Sequence, residues 1–159
     1  MPLDQQKPLS ERLLTLTAQL REQIPLAEAI DLYVTDAGDA QLTIAAPLAV
    51  NRNPHGTVFA GSAVSVAILA AWSLLDGRLR SMEGEAQLVL QRNTMAYLRP
   101  IDGPFAATAR LQDESAWLRF QSMLQRKGRA RIVMTSVIMC GEAEAAVFEG
   151  EFVALRAMA

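Results

Sequence analysis

From Thr57 to Leu75 the chain runs through nineteen residues without a charge, and such a stretch must be surrounded either by lipid or by protein. Its length approaches that of a membrane span. Gly61, Ser62, Ser65 and Ser73 dilute its hydrophobicity, however, and Asp76, Arg78 and Arg80 follow at once, without aromatic anchors on both sides. The run is therefore expected to be a helix that is apolar all round because a sheet wraps it, and no membrane association is expected.

One such helix needs a fold large enough to cover it. With 159 residues, 51% of them hydrophobic, the chain can build one sizeable core but not two ordinary domains. Residues 1–159 are read as a single domain, with 1–8 a flexible N-terminal segment. A net charge of −2 gives no bulk attraction for nucleic acid. The N-terminal stretch MPLDQQKPLSERLL carries acids where a secretory signal needs a positive region and an apolar core, which predicts a cytoplasmic protein. Cys140, the only cysteine, allows neither an internal disulfide nor a cysteine metal cluster, and its apolar run predicts structural burial in a strand. With His55 as the only histidine, no metal-ligand set is recognisable and no metal or cofactor is expected.

The elements around the central run follow from periodicity and punctuation. Ser10 is placed as an N-cap, followed by Leu13, Leu16, Leu20 and Ile24 at helical spacing until Pro25. Ala29 to Val34 and Gln41 to Ala46 read as a hairpin about Asp36-Ala37-Gly38-Asp39. The central helix is expected to reach about Asp76, with Gly77 marking its end. Strands are expected over Ala86 to Ile101, Phe105 to Leu111 and Arg129 to Cys140. A last strand has Phe148, Gly150, Phe152 and Ala154 on one face. Asp113 is placed as the cap of a short helix carrying Trp117, Phe120 and Leu124, which ends in the basic loop Arg126-Lys127-Gly128. The order gives an α+β fold, with helices on one face of an antiparallel sheet.

Immediately before and into the uncharged run stands Asn51-Arg52-Asn53-Pro54-His55-Gly56-Thr57-Val58-Phe59-Ala60-Gly61-Ser62. Two amides, the only histidine and a glycine crowd a turn that opens into a helix. The first N–H groups of a helix have no acceptors of their own and can bind a developing negative charge. Asparagine before a helix is equally a common cap, and a lone histidine on a turn is more often a hydrogen-bonding residue than a base. The residues alone leave Asn51, Asn53 and His55 open between these roles.

The motif, together with Tyr97-Leu98-Arg99-Pro100, resembles the hot-dog proteins of the YiiD C-terminal, thioesterase-like family, over roughly Leu9 to Arg156. It looks particularly like their standalone malonyl-acyl-carrier-protein decarboxylases. The resemblance implies a hot-dog fold, in which an antiparallel sheet wraps a long central hydrophobic helix. It also implies a homodimer with active sites at the subunit interface, with pairing into tetramers left open, and an acyl thioester carried by acyl carrier protein or CoA. A catalytic asparagine is implied on the loop before the helix, at Asn53. His55 joins it as a catalytic candidate, and Asn51, Gly56, Thr57 and Ser62 are candidates for binding substrate or an oxyanion. Gly56 stands where some relatives carry a second histidine.

Two chemistries compete at such a site. Many hot-dog thioesterases place an acidic residue a little over two helical turns after the glycine. Here Ser62, Ala63, Val64 and Ser65 occupy that region, and Asp76 is the first carboxylate downstream. Hydrolysis would need Glu83, Glu85 or His55 as its base. Decarboxylation of a malonyl thioester needs no activated water, only fixed donors for the enolate oxygen and an uncharged pocket. It is the expected activity, hydrolysis is the alternative, and a non-catalytic acyl-binding module is the third reading. Arg126, Lys127, Arg129 and Arg131 are candidates for holding an acidic carrier protein or the pantetheine phosphate, or else form a solvated turn.

Overall fold

The computed structural model describes residues 6–157, and residues 1–5 of the N-terminal segment lie outside them. Helices α1 (Leu9–Gln23) and α2 (Pro25–Ala29) precede the hairpin β1 (Tyr33–Ala37) and β2 (Gln41–Ala46). The central helix α3 (Ala60–Arg80) and strands β3 (Ala86–Tyr97) and β4 (Phe105–Arg110) follow. Helix α4 (Glu114–Lys127) and strands β5 (Arg129–Cys140) and β6 (Ala143–Arg156) complete the chain. The six strands form one antiparallel sheet in the order β1-β2-β4-β5-β6-β3. The expected α+β architecture is present, with the sheet wrapped around α3.

α3 packs against every strand from β2 to β6. By length and composition it would pass for a membrane span, yet half of its most apolar window is buried inside the fold. Ala63, Ala67, Ala70 and Ala71 have no exposed surface, so the helix lies close to the sheet. The Ser136 hydroxyl on β5, also fully buried, donates to the Ala67 carbonyl at 3.0 Å. That bond satisfies a polar group deep in the core and pins the helix to one strand. Ala130, Ile132 and Met134 on β5, and Phe148, Phe152 and Ala154 on β6, complete the apolar wall by strand alternation.

Several boundaries differ from expectation, each for a local reason. Pro8, not Ser10, is the N-cap of α1, and Ser10 lies within the helix. Pro25 stops α1 but then starts α2 at its first position, where a missing N–H costs nothing. Ala29 therefore ends a helix instead of beginning a strand, and β1 starts at Tyr33. Gly77 does not end α3, which runs on to Arg80 because Leu79 is buried in the core. β3 stops at Tyr97 instead of Ile101, whose carbonyl accepts the Val58 N–H. Cys140 is only half-buried. Asp113 does cap α4, its carboxylate accepting the Ser115 N–H at 2.8 Å, and Gly128 ends that helix at φ +67°.

Candidate active site at the start of the central helix

The segment between β2 and α3 folds into a compact loop because its own polar groups answer one another. The Asn53 N–H donates to the Thr57 carbonyl at 2.7 Å, and the Phe59 N–H to the Asn51 carbonyl at 2.7 Å. Asn53 Oδ1 accepts the N–H groups of His55 and Thr57 at 2.9 and 3.2 Å, while its Nδ2 donates to Thr57 Oγ1 at 2.9 Å. Gly56 supplies the left-handed turn, at φ +81°.

Asn51 is 2% exposed and acts as the root of this loop. Its Nδ2 donates to the carbonyls of Ile30 and Pro47 at 2.9 and 2.7 Å, tying the loop to the end of α2 and to the end of β2. Its Oδ1 is buried without a partner among the described residues. Neither asparagine side chain caps α3, whose N-cap is Phe59.

The start of α3 is thereby left with open donors. The Ser62 and Ala63 N–H groups bond to the Phe59 carbonyl, whereas those of Ala60 and Gly61 have no acceptor among the described residues. No acidic residue lies in the first turn. The helix dipole and two free N–H groups thus favour negative charge here. The exposed Phe59 ring covers Gly61, and a Cβ at that glycine would collide with the ring's Cε1.

His55 is exposed on the loop tip, Thr57 and Ser62 are half-buried, and Gly56 is exposed. The loop brings Asn53, His55, Gly56 and Thr57 together beside the helix start, with Ser62 on its first turn. The basic residues are not part of this group within one chain. Arg126 and Lys127 end α4 and Arg129 and Arg131 begin β5, all exposed, whereas the loop lies beyond the other end of the sheet. The length of β5 sets that separation at roughly 36 Å. Arg131 also faces Glu151 at 3.4 Å. Glu83 and Glu85 lie past the C-terminal end of α3, roughly 30 Å from its start, and do not fold back to the loop in the same chain.

Two residues not singled out for the site belong beside it. The Tyr97 hydroxyl donates to the Ala60 carbonyl at 3.0 Å, and burial raises its pKa. Phe59 shields the helix start. Tyr97 had a signal in the Tyr-Leu-Arg-Pro run, but Phe59 had none beyond its place before Ala60-Gly61.

A loop of this form leading into a sheet-wrapped helix is the arrangement of hot-dog proteins. Residues 13–156 match the family described as "Putative thioesterase (yiiD_Cterm)", and the chain belongs to that family. Solved structures carry the same fold. A protein of unknown function from Chlorobaculum tepidum superposes with a TM-score of 0.85 at 23% identity, over 94% of this chain and 97% of that one. A "putative thioesterase" from Shewanella oneidensis gives 0.80 at 27% identity, over 92% and 99%. A thioesterase from Haemophilus influenzae gives 0.68 at 16%, over 98% and 96%.

Proposed function

We propose that this protein is a cytoplasmic homodimeric enzyme acting on acyl thioesters, and that its reaction is the decarboxylation of a malonyl group carried by acyl carrier protein. The observation that carries this reading is the pairing of free donors with missing carboxylates at the start of α3. In the reaction the bond between the carboxylate and the methylene carbon breaks and carbon dioxide leaves. Its electron pair forms an enolate whose charge lies largely on the thioester oxygen, and a proton from solvent then completes the acetyl group. The Ala60 and Gly61 N–H groups, with the second N–H of Asn53 Nδ2, are the donors for that oxygen, each worth about 3 kcal/mol by analogy with oxyanion holes. A nearby carboxylate would repel the substrate, and a cation would hold the ground state back.

The long, open edge of β3 supports the homodimer, since an unpaired edge of this length is normally paired or blocked. Exposed Phe59, Tyr97 and Leu98 gather near its loop end. A two-fold pairing through β3 would turn the β5 start of one subunit, with Arg126, Lys127, Arg129 and Arg131, towards the loop end of the other. An acidic carrier could then bridge the two subunits.

Hydrolysis is the second reading, supported by the family description and by the name of the Shewanella relative. Mass spectrometry of malonyl-carrier protein incubated with the enzyme separates the two. Acetyl-carrier protein is the expected product, and free carrier protein would identify a thioesterase. An unchanged substrate bound without turnover would mean an acyl-binding module.

A further inference from the structure

A cavity of about 500 Å³ lies away from the loop, at the other end of α3. α1, the tip of the β1–β2 hairpin, the last turns of α3 and the start of α4 enclose it. Ser73 stands thirteen residues beyond Ala60, so the cavity is roughly 20 Å along the helix from the free N–H groups. Leu16, Leu20, Leu42, Leu74, Trp72 and Trp117 supply its apolar walls.

Two polar groups in those walls are unanswered. Ser73 is 95% buried, and its hydroxyl has no partner among the described residues, although Ser65 on the same helix bonds to the Gly61 carbonyl at 2.7 Å. Arg12 Nε is buried without a partner too. The other cations of the wall are engaged. Arg78 pairs with Glu114 and stacks 4.6 Å over Trp117, and Arg80 pairs with Asp76. Asp39 lies on the exposed hairpin tip. Arg12 is thus a cation in the wall without an ion-pair partner among the described residues, and it lines the same ligand-sized space as a buried hydroxyl donor.

We infer that this cavity is a second small-molecule site, for an amphiphilic carboxylate of the fatty-acid type. Its carboxylate accepts from Arg12 and from the Ser73 hydroxyl, and its chain lies against the leucines and the two indoles. The site is independent of the reaction proposed above.

Trp72 and Trp117 are the only tryptophans of the chain and both line the cavity, so intrinsic fluorescence reads this site directly. The experiment titrates the full chain with decanoate and with uncharged decanol. Saturable quenching by decanoate, about tenfold tighter than by decanol, is expected. Arg12→Gln should bring decanoate to the level of decanol, and Ser73→Ala should weaken it in part. Asn53→Ala should leave the titration unchanged. Absence of saturation, equal affinities for acid and alcohol, or indifference to Arg12→Gln in a folded protein would each overturn the inference. A response abolished by Asn53→Ala would do so as well, by placing decanoate at the other end of the helix.

Discussion

The hydroxyl of Tyr97, the last residue of β3, donates to the carbonyl of Ala60, the first residue of α3, at 3.0 Å. This bond joins the edge strand to the end of the helix that bears the free N–H groups. Any rearrangement of the β3 edge is therefore felt at the donors.

Replacing Tyr97 should show in the alkaline limb of stability. Burial raises its pKa, so its contribution is complete below the ordinary tyrosine value and fades as pH rises through the folded value. Tyr97→Phe should flatten the dependence of melting temperature on pH above about 10. An unchanged alkaline slope would show that the hydroxyl contributes nothing.

Asn53 both organises the loop and supplies a proposed donor, and the two roles separate by variant. Asn53→Ala should lower turnover about 10²- to 10³-fold. Thr57→Val frees the Nδ2 donor from its acceptor while keeping the bonds to Oδ1. It should shift turnover far less than Asn53→Ala, at nearly normal stability. Circular dichroism alongside the product assay distinguishes lost chemistry from a lost loop.

Asn51→Ala should act on stability before activity. It leaves the Ile30 and Pro47 carbonyls without their donor in a buried place, at a cost of about 2–3 kcal/mol. Denaturant unfolding should report this as a lower midpoint with little change in slope.

Gly61→Ala should displace the Phe59 ring from the helix start, because the new methyl and the ring claim the same space. The ring is exposed and can swing away, so folding should survive while turnover falls. Adding Phe59→Ala should remove the clash without restoring activity if the ring itself shields the thioester. Full recovery in the double variant would assign the defect to the clash alone.

Asp113 offers a test at acid pH. Its bonds to Ser115 hold its pKa below the ordinary carboxylate range, so its stabilisation is present above the unfolded value and is lost as pH falls through the folded one. Asp113→Asn should leave α4 capped but less acid-sensitive, as followed by helical signal between pH 5 and 2.

Where a physical signal was strong and local, the sequence was legible. The absence of charge from Thr57 to Leu75 marked α3, and Asp113 marked the start of α4, whose last turn takes in Arg126 and Lys127 instead of leaving them in a loop. Pro25 misled because the same missing N–H that stops one helix suits the first position of another. Gly77 misled because an exposed glycine within a helix looks like one just past its end, and only the burial of Leu79 separates the two. The site was legible as a crowd of polar residues, not as an arrangement. No spacing tells that Asn53 spends its oxygen on two backbone N–H groups, or that Phe59 rather than an asparagine stands at the helix cap. The second cavity was hidden altogether, because Arg12, Ser73 and Trp117 meet only once α1, α3 and α4 have packed.

The close seating of α3 has a consequence for the newborn chain. Its cover includes β5 and β6, and roughly 75 residues must still be made after Arg80 before β6 is complete at Arg156. At 5–20 residues per second that is on the order of 4–15 s, during which the alanine-lined helix lacks its complete sheet cover. Over that interval the most apolar segment of the protein is open to chaperones and to other chains.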